Sequence, residues 1–281
     1  AYAESRLATV LYRGGNPEGK RLSRSAVARA QAKGDVDLVD QIQLGLVIWL
    51  AMTGERAAAE ATAREAAAAI YGVPIDWVMA ANGSDEMLAL LARAFLERGR
   101  KVAYPMPTYS LYITLAEMQD AAAVEVPYDE DYNVPVEGLL AAQADLTFIC
   151  TPNNPSATVA PVRDLERLAA GLKGVLVVDE AYTDFADENA LGLVPRYPNI
   201  IVLRTLSKGY SLAGLRMGFG VAQPELLEGL IKIKDSYNVD AVALRIAAAA
   251  LKDQAWMTAN AAKIKASRAR LASELERMKF R

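Results

Sequence analysis

A lysine and an arginine eight residues apart are the side chains of this sequence best suited to covalent chemistry. Lys208 follows residues 200–203, an uninterrupted apolar run of strand length that suits a strand covered on both faces. Open α/β sheets bind their ligands beyond the carboxyl ends of such strands. Arg216 lies between two small-residue turns that would let the backbone approach an anion closely. An amine beside an anion clamp predicts a lysine that forms a Schiff base with a phosphorylated aldehyde.

Taken alone, Lys208 would be interpreted as a solvated loop lysine. The spacing around it favours a different interpretation, because residues 205–220 closely resemble the lysine segment of the fold-type I aminotransferases, particularly the histidinol-phosphate aminotransferase branch. These enzymes use pyridoxal 5′-phosphate as their cofactor. The resemblance implies that Lys208 bonds covalently to this cofactor, and that Ser207 and Arg216 hold its phosphate together with Thr205.

A helix start provides a second candidate for anion binding. Gly83, Ser84 and Asp85 precede apolar residues such as Met87 and Leu91 that recur at helical spacing. The free N–H groups of a first helical turn, and the helix dipole, attract an anion. By itself this segment would be interpreted as an ordinary helix cap. Together with the lysine segment, it resembles the family's phosphate site, although the Asp85 carboxylate would repel phosphate while its amide would bind it.

Two further residues follow loops that contain proline. Tyr109 follows residues 105–108, where two prolines rigidify the chain. The resemblance implies that Tyr109 stacks on the pyridine ring of the cofactor, while spacing alone allows a core aromatic equally well. Asn154 follows the apolar strand at residues 146–150. The resemblance implies that Asn154 donates a hydrogen bond to the phenolic oxygen O3′ of the cofactor.

Asp179 and Tyr182 follow another apolar run, residues 175–178. A carboxylate at the end of a strand can merely cap the next helix. The resemblance implies instead that Asp179 pairs with the pyridinium nitrogen and that Tyr182 binds O3′. A nitrogen kept protonated in this way makes the ring an electron sink.

The strands that precede these residues indicate the fold class. Asn154, Asp179 and Lys208 each follow a separate apolar strand, and the carboxyl ends of parallel strands meet at one edge of a sheet. We therefore expect an α/β protein, and the resemblance implies the large-domain fold of the type I enzymes, in which helices sandwich a mixed and mostly parallel sheet, with only a remnant of the small domain. Residues 123–126 read as an edge strand, and a long helix is expected from about residue 240 to beyond 275, broken near Gln254.

Composition excludes several classes of function. The chain of 281 residues has no histidine, which removes Ser-His and Cys-His nucleophile pairs and His-ligated metals, and no metal site is predicted. The net charge of −3 provides no basic surface for nucleic acid. The single cysteine, Cys150, excludes an internal disulfide and is interpreted as a buried structural thiol. The apolar run at residues 44–52 is shorter than the roughly 18 residues of a membrane span. No signal-peptide pattern is present, and we expect a cytoplasmic protein.

Several departures from the family pattern affect the expected organisation. We expect an arm or partial small-domain segment at residues 1–40, a cofactor-binding large domain at 41–236, and a connecting helix with the start of a truncated small domain at 237–281. The family's Tyr-Pro pair has no counterpart between Ala32 and Ile70. Ala157 stands where the family has glycine, which predicts a changed local backbone or substrate fit. No arginine matches the family residue that binds the substrate carboxylate.

These observations predict a transaminase that moves an amino group between an amino acid or amino-alcohol phosphate, resembling histidinol phosphate, and a 2-oxo acid. Two alternatives stay open: a truncated homologue that binds the cofactor with little or no transaminase activity, and a decarboxylase of a phosphorylated amino acid. The resemblance implies a homodimer, because related sites are built across a two-fold interface. No nucleic acid or membrane partner is expected.

Overall fold

The computed structural model describes residues 55–280 together with the isolated helical positions Ser25 and Ala32. The chain divides into two compact units, one of Ala1–Thr62 with Asp240–Ile246 and the other of Ala63–Val239 with Ala247–Arg281. The expected arm at residues 1–40, apart from those two positions, and the apolar run at 44–52 lie outside the described residues.

The smaller unit is described at residues 55–62 and 240–246, which form parts of two helices. Arg56 and Glu60 pair across one helical turn at 3.0 Å. Asp240 caps the start of the second helix, because its Oδ1 accepts hydrogen bonds from the amides of Val242 and Ala243, both at 2.9 Å.

The larger unit contains a seven-stranded sheet among its described residues. The strands are β1 (Val78–Asn82), β2 (Lys101–Met106), β3 (Ala122–Pro127), β4 (Leu146–Cys150), β5 (Val175–Asp179), β6 (Ile200–Thr205) and β7 (Met217–Val221). They lie in the order β1-β7-β6-β5-β4-β2-β3, so that β3 is an edge strand, as predicted. Strand β7 runs antiparallel to β1 and β6, and the other neighbours are parallel. The prediction of a mixed, mostly parallel sheet is confirmed.

Eight α-helices lie within residues 55–280. They are α1 (Glu55–Tyr71), α2 (Gly83–Phe95), α3 (Leu111–Met118), α4 (Val136–Ala142), α5 (Val162–Gly171), α6 (Pro224–Ile233), α7 (Ala241–Lys252) and α8 (Gln254–Arg277). The expected break near Gln254 is confirmed, since Asp253 separates α7 from α8 and caps α8 by accepting from the Trp256 amide at 3.1 Å. In the part of the chain that the structure describes, no helix is both long and apolar enough to cross a membrane.

Side chains of the central strands alternate between two buried layers, one on each face of the sheet. In β5, Val177 belongs to one layer, and Leu176 and Val178 belong to the other. Helices α2, α3 and α6 complete the first layer, and α4 and α5 complete the second. Burial on both faces explains why these strands are mostly apolar, and it leaves the strand ends as the main places for polar side chains that face a ligand.

The chain reverses direction between β6 and β7, and this reversal contains the lysine segment. Thr205, the last residue of β6, lies opposite Gly218 of β7. On the other side of β7, Met217 lies opposite Asn82, the last residue of β1. Helix α2 starts at the next residue, so the lysine segment and the start of α2 lie at the same edge of the sheet.

Gly218 allows β7 and the start of α2 to approach each other closely. A Cβ atom at this position would lie 2.5 Å from the carbonyl carbon of Gly83 and 2.6 Å from the amide nitrogen of Ser84. These are backbone atoms that cannot rotate away, so only glycine permits this packing.

We predict that Gly218→Ala lowers the free energy of unfolding by about 2 kcal/mol, because the new methyl group forces α2 away from the sheet. Gly229→Ala in α6 is the matched control. A Cβ there has nothing within 4 Å, and alanine favours a helix, so an increase of about 0.5–1 kcal/mol is expected. Urea denaturation of both variants measures the difference. Equal stability of Gly218→Ala and the unsubstituted chain would contradict the close approach.

Candidate active site

A cavity of about 130 Å³ opens at the carboxyl ends of β4, β5 and β6. Its lining consists of Ser84, Asp85, Tyr109, Cys150, Asn154, Asp179, Ala181, Tyr182, Thr205, Ser207, Lys208, Ala213 and Arg216. Every site residue predicted from the sequence is in this lining except Gly83. Gly83 lies directly beside the side chain of Arg216, which is a lining residue. The expected convergence of strand ends at one edge is what the structure shows.

One end of the cavity is suited to an anion. Helix α2 begins beside it at Gly83, and Ser84 and Asp85 of its first turn line the wall. The N–H groups of a first helical turn have no acceptors inside the helix and attract negative charge. Arg216 adds a guanidinium group, whose NH2 lies 3.2 Å from Asp85 Oδ2. In this structure the Asp85 carboxylate therefore pairs with the group that would otherwise bind an anion.

The backbone conformations of Gly83 and Arg216 place the start of α2 close to the Arg216 side chain. Gly83 has a φ of 78°, and a Cβ there would lie 2.5 Å from Arg216 NH2. Arg216 itself adopts the left-handed conformation, with a φ of 54°. Such a φ is uncommon for a residue other than glycine and costs roughly 1–2 kcal/mol. The rest of the fold offsets this cost.

Two hydroxyl groups after β6 extend the polar end of the cavity. Thr205 is buried, and its Oγ1 lies 2.9 Å from Ser207 Oγ. The same oxygen donates to the Met217 carbonyl at 3.2 Å and accepts from the Ser207 amide at 3.2 Å. These bonds fix the turn that presents Ser207 to the cavity.

The Asp179 carboxyl lies at the end of β5 and is 2% exposed. Its Oδ2 accepts a hydrogen bond from the Tyr112 hydroxyl at 3.0 Å, and its Oδ1 accepts from the Ala181 amide at 3.2 Å. Burial raises the pKa of Asp179 to about 6, because the effect of burial is larger than the opposing effects of these two hydrogen bonds. A buried carboxylate with unused hydrogen-bonding capacity is suited to a cationic ring nitrogen.

Lys208 is the amine of the cavity. Its side chain is exposed, and Nζ lies 5.2 Å from the centre of the Tyr182 ring. The Ser211 amide donates to the Lys208 carbonyl at 3.0 Å, which holds the turn that follows β6. An exposed amine at the mouth of a polar cavity can reach a ligand aldehyde.

Tyr109 provides an aromatic wall. Its hydroxyl donates to Asp85 Oδ1 at 3.3 Å, and its ring meets the Tyr112 ring edge-on at a centroid distance of 5.7 Å. Burial, followed by the Asp85 charge, raises the pKa of Tyr109 to about 12, so the hydroxyl stays protonated at neutral pH. The cavity thus offers a flat neutral ring opposite polar groups.

The loop after β4 places Asn154 in the cavity, while its neighbour Asn153 is buried and holds the loop in place. Asn153 accepts from Thr108 Oγ1 at 2.8 Å and donates to the Pro107 carbonyl at 3.0 Å. It thereby joins this loop to the one that precedes Tyr109. This role of Asn153 was not predicted, because the sequence of two adjacent asparagines in a turn does not indicate which of them points inward.

Ala157, which stands where the family has glycine, adopts a left-handed φ of 60°. Its amide donates to the Asn153 carbonyl at 2.8 Å, and the Asn153 amide donates to the Thr158 carbonyl at 2.8 Å. These two bonds close the turn and offset the cost of a left-handed alanine, roughly 1–2 kcal/mol.

A buried ion pair supports the segment that follows Asp179. Glu180 is 1% exposed, and its Oε2 lies 2.7 Å from the NH2 group of Arg204 on β6. Glu180 Oε1 also accepts from the Ala190 amide at 2.5 Å. Burial raises the pKa of Glu180 and Arg204 opposes this effect. The pair was not predicted, because Arg204 belongs to β6 and Glu180 to the segment that follows β5.

Cys150 is buried, as predicted, and its burial raises the pKa of the thiol to about 12. It is therefore a neutral thiol rather than a nucleophile at neutral pH. Among residues 55–280, no group of three or more cysteine, aspartate and glutamate side chains is arranged to hold a metal ion.

A larger groove of about 680 Å³ lies at the opposite edge of the sheet, near the amino ends of the parallel strands. Arg100 pairs there with Asp145 at 2.7 Å. Ligands of open α/β sheets bind at the carboxyl ends of the strands, and the smaller cavity is the one that contains a lysine, a buried carboxylate and a helix start. We therefore assign the chemistry to the smaller cavity.

Comparisons with known proteins point to one family. The family model of class I and II aminotransferases matches residues 56–281. Histidinol-phosphate aminotransferase 1 of Trichormus variabilis is 56% identical over 217 residues, which are 77% of this chain and 62% of that protein. The chain thus spans less than two thirds of the length of this curated relative.

Solved structures give the same picture of the fold. The histidinol-phosphate aminotransferase from Sinorhizobium meliloti, in complex with pyridoxal 5′-phosphate, has a TM-score of 0.71 and 29% identity, and the match covers 76% of this chain and 60% of that one. The L-threonine-O-3-phosphate decarboxylase from Porphyromonas gingivalis has a TM-score of 0.64 and 23% identity, over 71% of this chain and 63% of that one. The second match concerns the fold alone.

The buried Asp179 carboxyl predicts that stability depends on pH. Its pKa is raised from 3.8 to about 6 on folding, so the folded state holds the proton more tightly, and stability falls as pH rises through this window. Asp179→Asn removes the buried charge and is expected to raise the free energy of unfolding at pH 8 by roughly 1–3 kcal/mol.

At pH 4 the increase in the free energy of unfolding caused by Asp179→Asn is expected to be largely absent. Urea denaturation of the protein without added ligand, at both pH values, measures it. Asp235→Asn, at an exposed carboxylate, is the control and should show no such pH-dependent gain. An Asp179→Asn gain of equal size at both pH values would show that the buried charge is not its cause.

Proposed function

The chain belongs to the class I and II aminotransferase family, and we propose that it binds pyridoxal 5′-phosphate and transfers an amino group from a donor to a 2-oxo acid. The observation that supports this most is the single cavity lined by Lys208, Asp179 and Arg216. An amine, a buried carboxylate and an anion clamp are the three groups that an aldehyde, a pyridine nitrogen and a phosphate require.

The anionic end of the cavity fits the phosphate group. The first-turn amides at Gly83, Ser84 and Asp85 and the guanidinium of Arg216 would hold it. The hydroxyl groups of Thr205 and Ser207 extend this set of donors. The absence of a Cβ at Gly83 leaves room for Arg216, which fits a closely packed phosphate site. The Asp85 carboxylate would have to leave Arg216 when phosphate binds.

The remaining walls fit a protonated, hydroxyl-bearing pyridine ring. The Asp179 carboxylate would hold the proton on the ring nitrogen, and the Tyr109 ring would cover one face of the cofactor. Asn154 and Tyr182 would donate hydrogen bonds to the phenolic oxygen O3′. We assign these roles from the resemblance of each residue to its family counterpart.

Lys208 would have two tasks. Its Nζ would hold the cofactor covalently before the donor arrives, and once released it would take a proton from Cα of the donor as a general base. When bound, the cofactor supplies an electron sink that stabilises the charge left on Cα. The chain's contribution is to orient the donor, to keep the ring nitrogen protonated through Asp179, and to return the proton through Lys208.

The names of the relatives support a donor that resembles histidinol phosphate, that is, an amino acid or an amino-alcohol phosphate. This chain spans 62% of the Trichormus relative, so the substrates of the whole enzyme are proposed for it rather than transferred to it. The division at residues 40 and 236 and the cytoplasmic location stay predictions, as does the expectation that neither nucleic acid nor a membrane is a partner.

A second candidate is a homologue that holds the cofactor but transfers amino groups poorly. It is favoured by the cavity lining, in which Arg216 is the only arginine among the described residues, and we assign Arg216 to the phosphate. A substrate carboxylate would then lack the bidentate partner that arginine provides. The family's Tyr-Pro pair also has no counterpart between Ala32 and Ile70.

We propose a homodimer, because sites of this kind are built across a two-fold interface. Light scattering on the purified chain with pyridoxal phosphate is expected to give twice the chain mass of 30.3 kDa. A monodisperse monomer that still holds the cofactor would contradict this proposal.

Borohydride reduction tests the cofactor site directly. The purified chain is mixed with pyridoxal phosphate and reduced, and the labelled peptide is mapped by mass spectrometry. We expect the label on Lys208 and its loss in Lys208→Ala, because among the described residues only this amine lies in the cavity. The exposed Lys232 on α6 provides the control, since Lys232→Ala should keep the label on Lys208. A label on another lysine, or none, would refute the assigned anchor.

A single-turnover reaction then separates the candidate functions. Histidinol phosphate is added to one sample of the loaded protein and a phosphorylated amino acid to a second sample, and the products of each are separated by chromatography. Conversion of the amine to a carbonyl compound supports the transaminase. A trapped cofactor without conversion supports the non-catalytic homologue, and carbon dioxide released from a phosphorylated amino acid supports a decarboxylase.

A further inference from the structure

The hydroxyl group of Tyr112 has no part in the roles proposed above for the site residues. It is the second residue of α3, and its side chain is fully buried. The hydroxyl donates to Asp179 Oδ2 at 3.0 Å, across a sequence separation of 67 residues. The hydroxyl of a buried tyrosine normally has a hydrogen-bond partner. Here that partner is a carboxylate, a group whose burial costs free energy.

The Tyr112 ring is held on two sides, so its hydroxyl has a defined position. It stacks on Phe148 of β4 at a centroid distance of 4.6 Å with an interplanar angle of 15°. Its edge meets the Tyr109 ring at 5.7 Å and 85°. Tyr112 therefore contacts both of the side chains to which we assign the pyridine ring, Asp179 through its hydroxyl and Tyr109 through its ring.

The charge state of Asp179 depends on several neighbours. Asp85, Tyr112 and Lys208 shift the pKa of Asp179. The Asp179 charge in turn raises the pKa values of its neighbours Tyr109, Cys150 and Glu180. Burial has the largest effect and raises the pKa of Asp179, while the Tyr112 hydrogen bond is the largest effect that lowers it. The hydroxyl therefore favours the ionised carboxylate that a pyridinium nitrogen needs.

We propose that Tyr112 is a positioning residue that fixes the Asp179 carboxylate and the Tyr109 ring on the two sides of the site for a planar cationic ring. This inference rests on the proposed function for the identity of that ring, but the contact with Asp179 can be tested without any cofactor. Tyr112 acts through Asp179 and Tyr109 and is not assigned a contact with the substrate.

The test compares Tyr112→Phe with Tyr104→Phe. Both changes keep the ring and remove one hydroxyl from the same buried layer. The Tyr104 hydroxyl donates to Glu125 at 3.2 Å, and neither residue lines the cavity. Tyr104→Phe thus controls for the general effect of a lost buried hydroxyl. Thermal unfolding of both variants verifies that they are folded.

The first measurement is a pH titration of the cofactor-free protein labelled with ¹³C at the aspartate carboxyl groups. The Asp179 signal is identified by its loss in Asp179→Asn. Tyr112→Phe is expected to move its midpoint upward from about 6 by about one pH unit, because the carboxylate loses a hydrogen bond. Tyr104→Phe should leave the midpoint unchanged. An unmoved midpoint in Tyr112→Phe would overturn the inference.

A second variant keeps the test decisive if Tyr112→Phe fails to fold. Tyr112→3-fluorotyrosine, introduced at this site alone, preserves the shape of the side chain and makes its hydroxyl a stronger donor. The Asp179 midpoint is then expected to move downward. An upward shift or no shift would count against the proposed hydrogen bond.

The second measurement uses pyridoxine 5′-phosphate, which has no aldehyde and so binds without lysine chemistry. An upward shift of about one unit in Asp179 predicts that Tyr112→Phe weakens binding about fivefold at pH 6 and less than about twofold at pH 8. A purely structural defect would weaken binding equally at both pH values. In the Asp179→Asn background, Tyr112→Phe should lose this pH-dependent effect.

The two measurements separate the possible failures. If the Asp179 midpoint moves but the unsubstituted protein does not bind pyridoxine 5′-phosphate, the proposed function fails while the positioning of Asp179 by Tyr112 stands. If the protein binds the probe but Tyr112→Phe leaves both the midpoint and the pH profile unchanged, the proposed function stands and this inference is wrong.

Discussion

A sheet that is covered by helices on both faces offers polar side chains to a ligand mainly where its strands end, and the candidate site depends on this constraint. Most interior positions of β4, β5 and β6 are occupied by apolar residues that fill the two buried layers. Asn154, Asp179 and Lys208 come at or just after the carboxyl ends of these strands. Because β4, β5 and β6 are parallel neighbours, the three ends lie side by side. The sheet thus collects residues that are far apart in the sequence.

The antiparallel strand β7 adds the anionic end of the site. It lies between β6 and β1, and its register places the turn before it beside the start of α2. Two glycines without side chains, Gly83 and Gly218, let the helix, the strand and Arg216 approach more closely than any other residue would permit. The geometry of the anion site therefore depends on the absence of two methyl groups as much as on the presence of a guanidinium.

The same site contains arrangements that cost stability. Asp179 is a buried carboxyl with a raised pKa, and Arg216 and Ala157 have left-handed backbones. Features of this kind concentrate at functional sites, where the surrounding structure holds them in place. Here the supports are hydrogen bonds from Tyr112 to Asp179, a turn closed by Asn153 around Ala157, and the Glu180–Arg204 ion pair behind the cavity.

The sequence by itself determined the class of fold and the strand ends, because apolar runs, helix starts and the residues that follow them are local patterns, and its resemblance to the family indicated most of the polar residues that line the cavity. Lys208, Asp179 and Asn154 could be assigned to one edge for this reason. Tertiary structure alone decided which groups support them. The Tyr112–Asp179 bond spans 67 residues, and the Arg204–Glu180 pair joins β6 to the segment that follows β5. Asn153 rather than Asn154 is buried, because Asn153 bonds to Pro107 and Thr108 of another loop. Such contacts have no signature in a single sequence, since the register of the strands must be known before they exist.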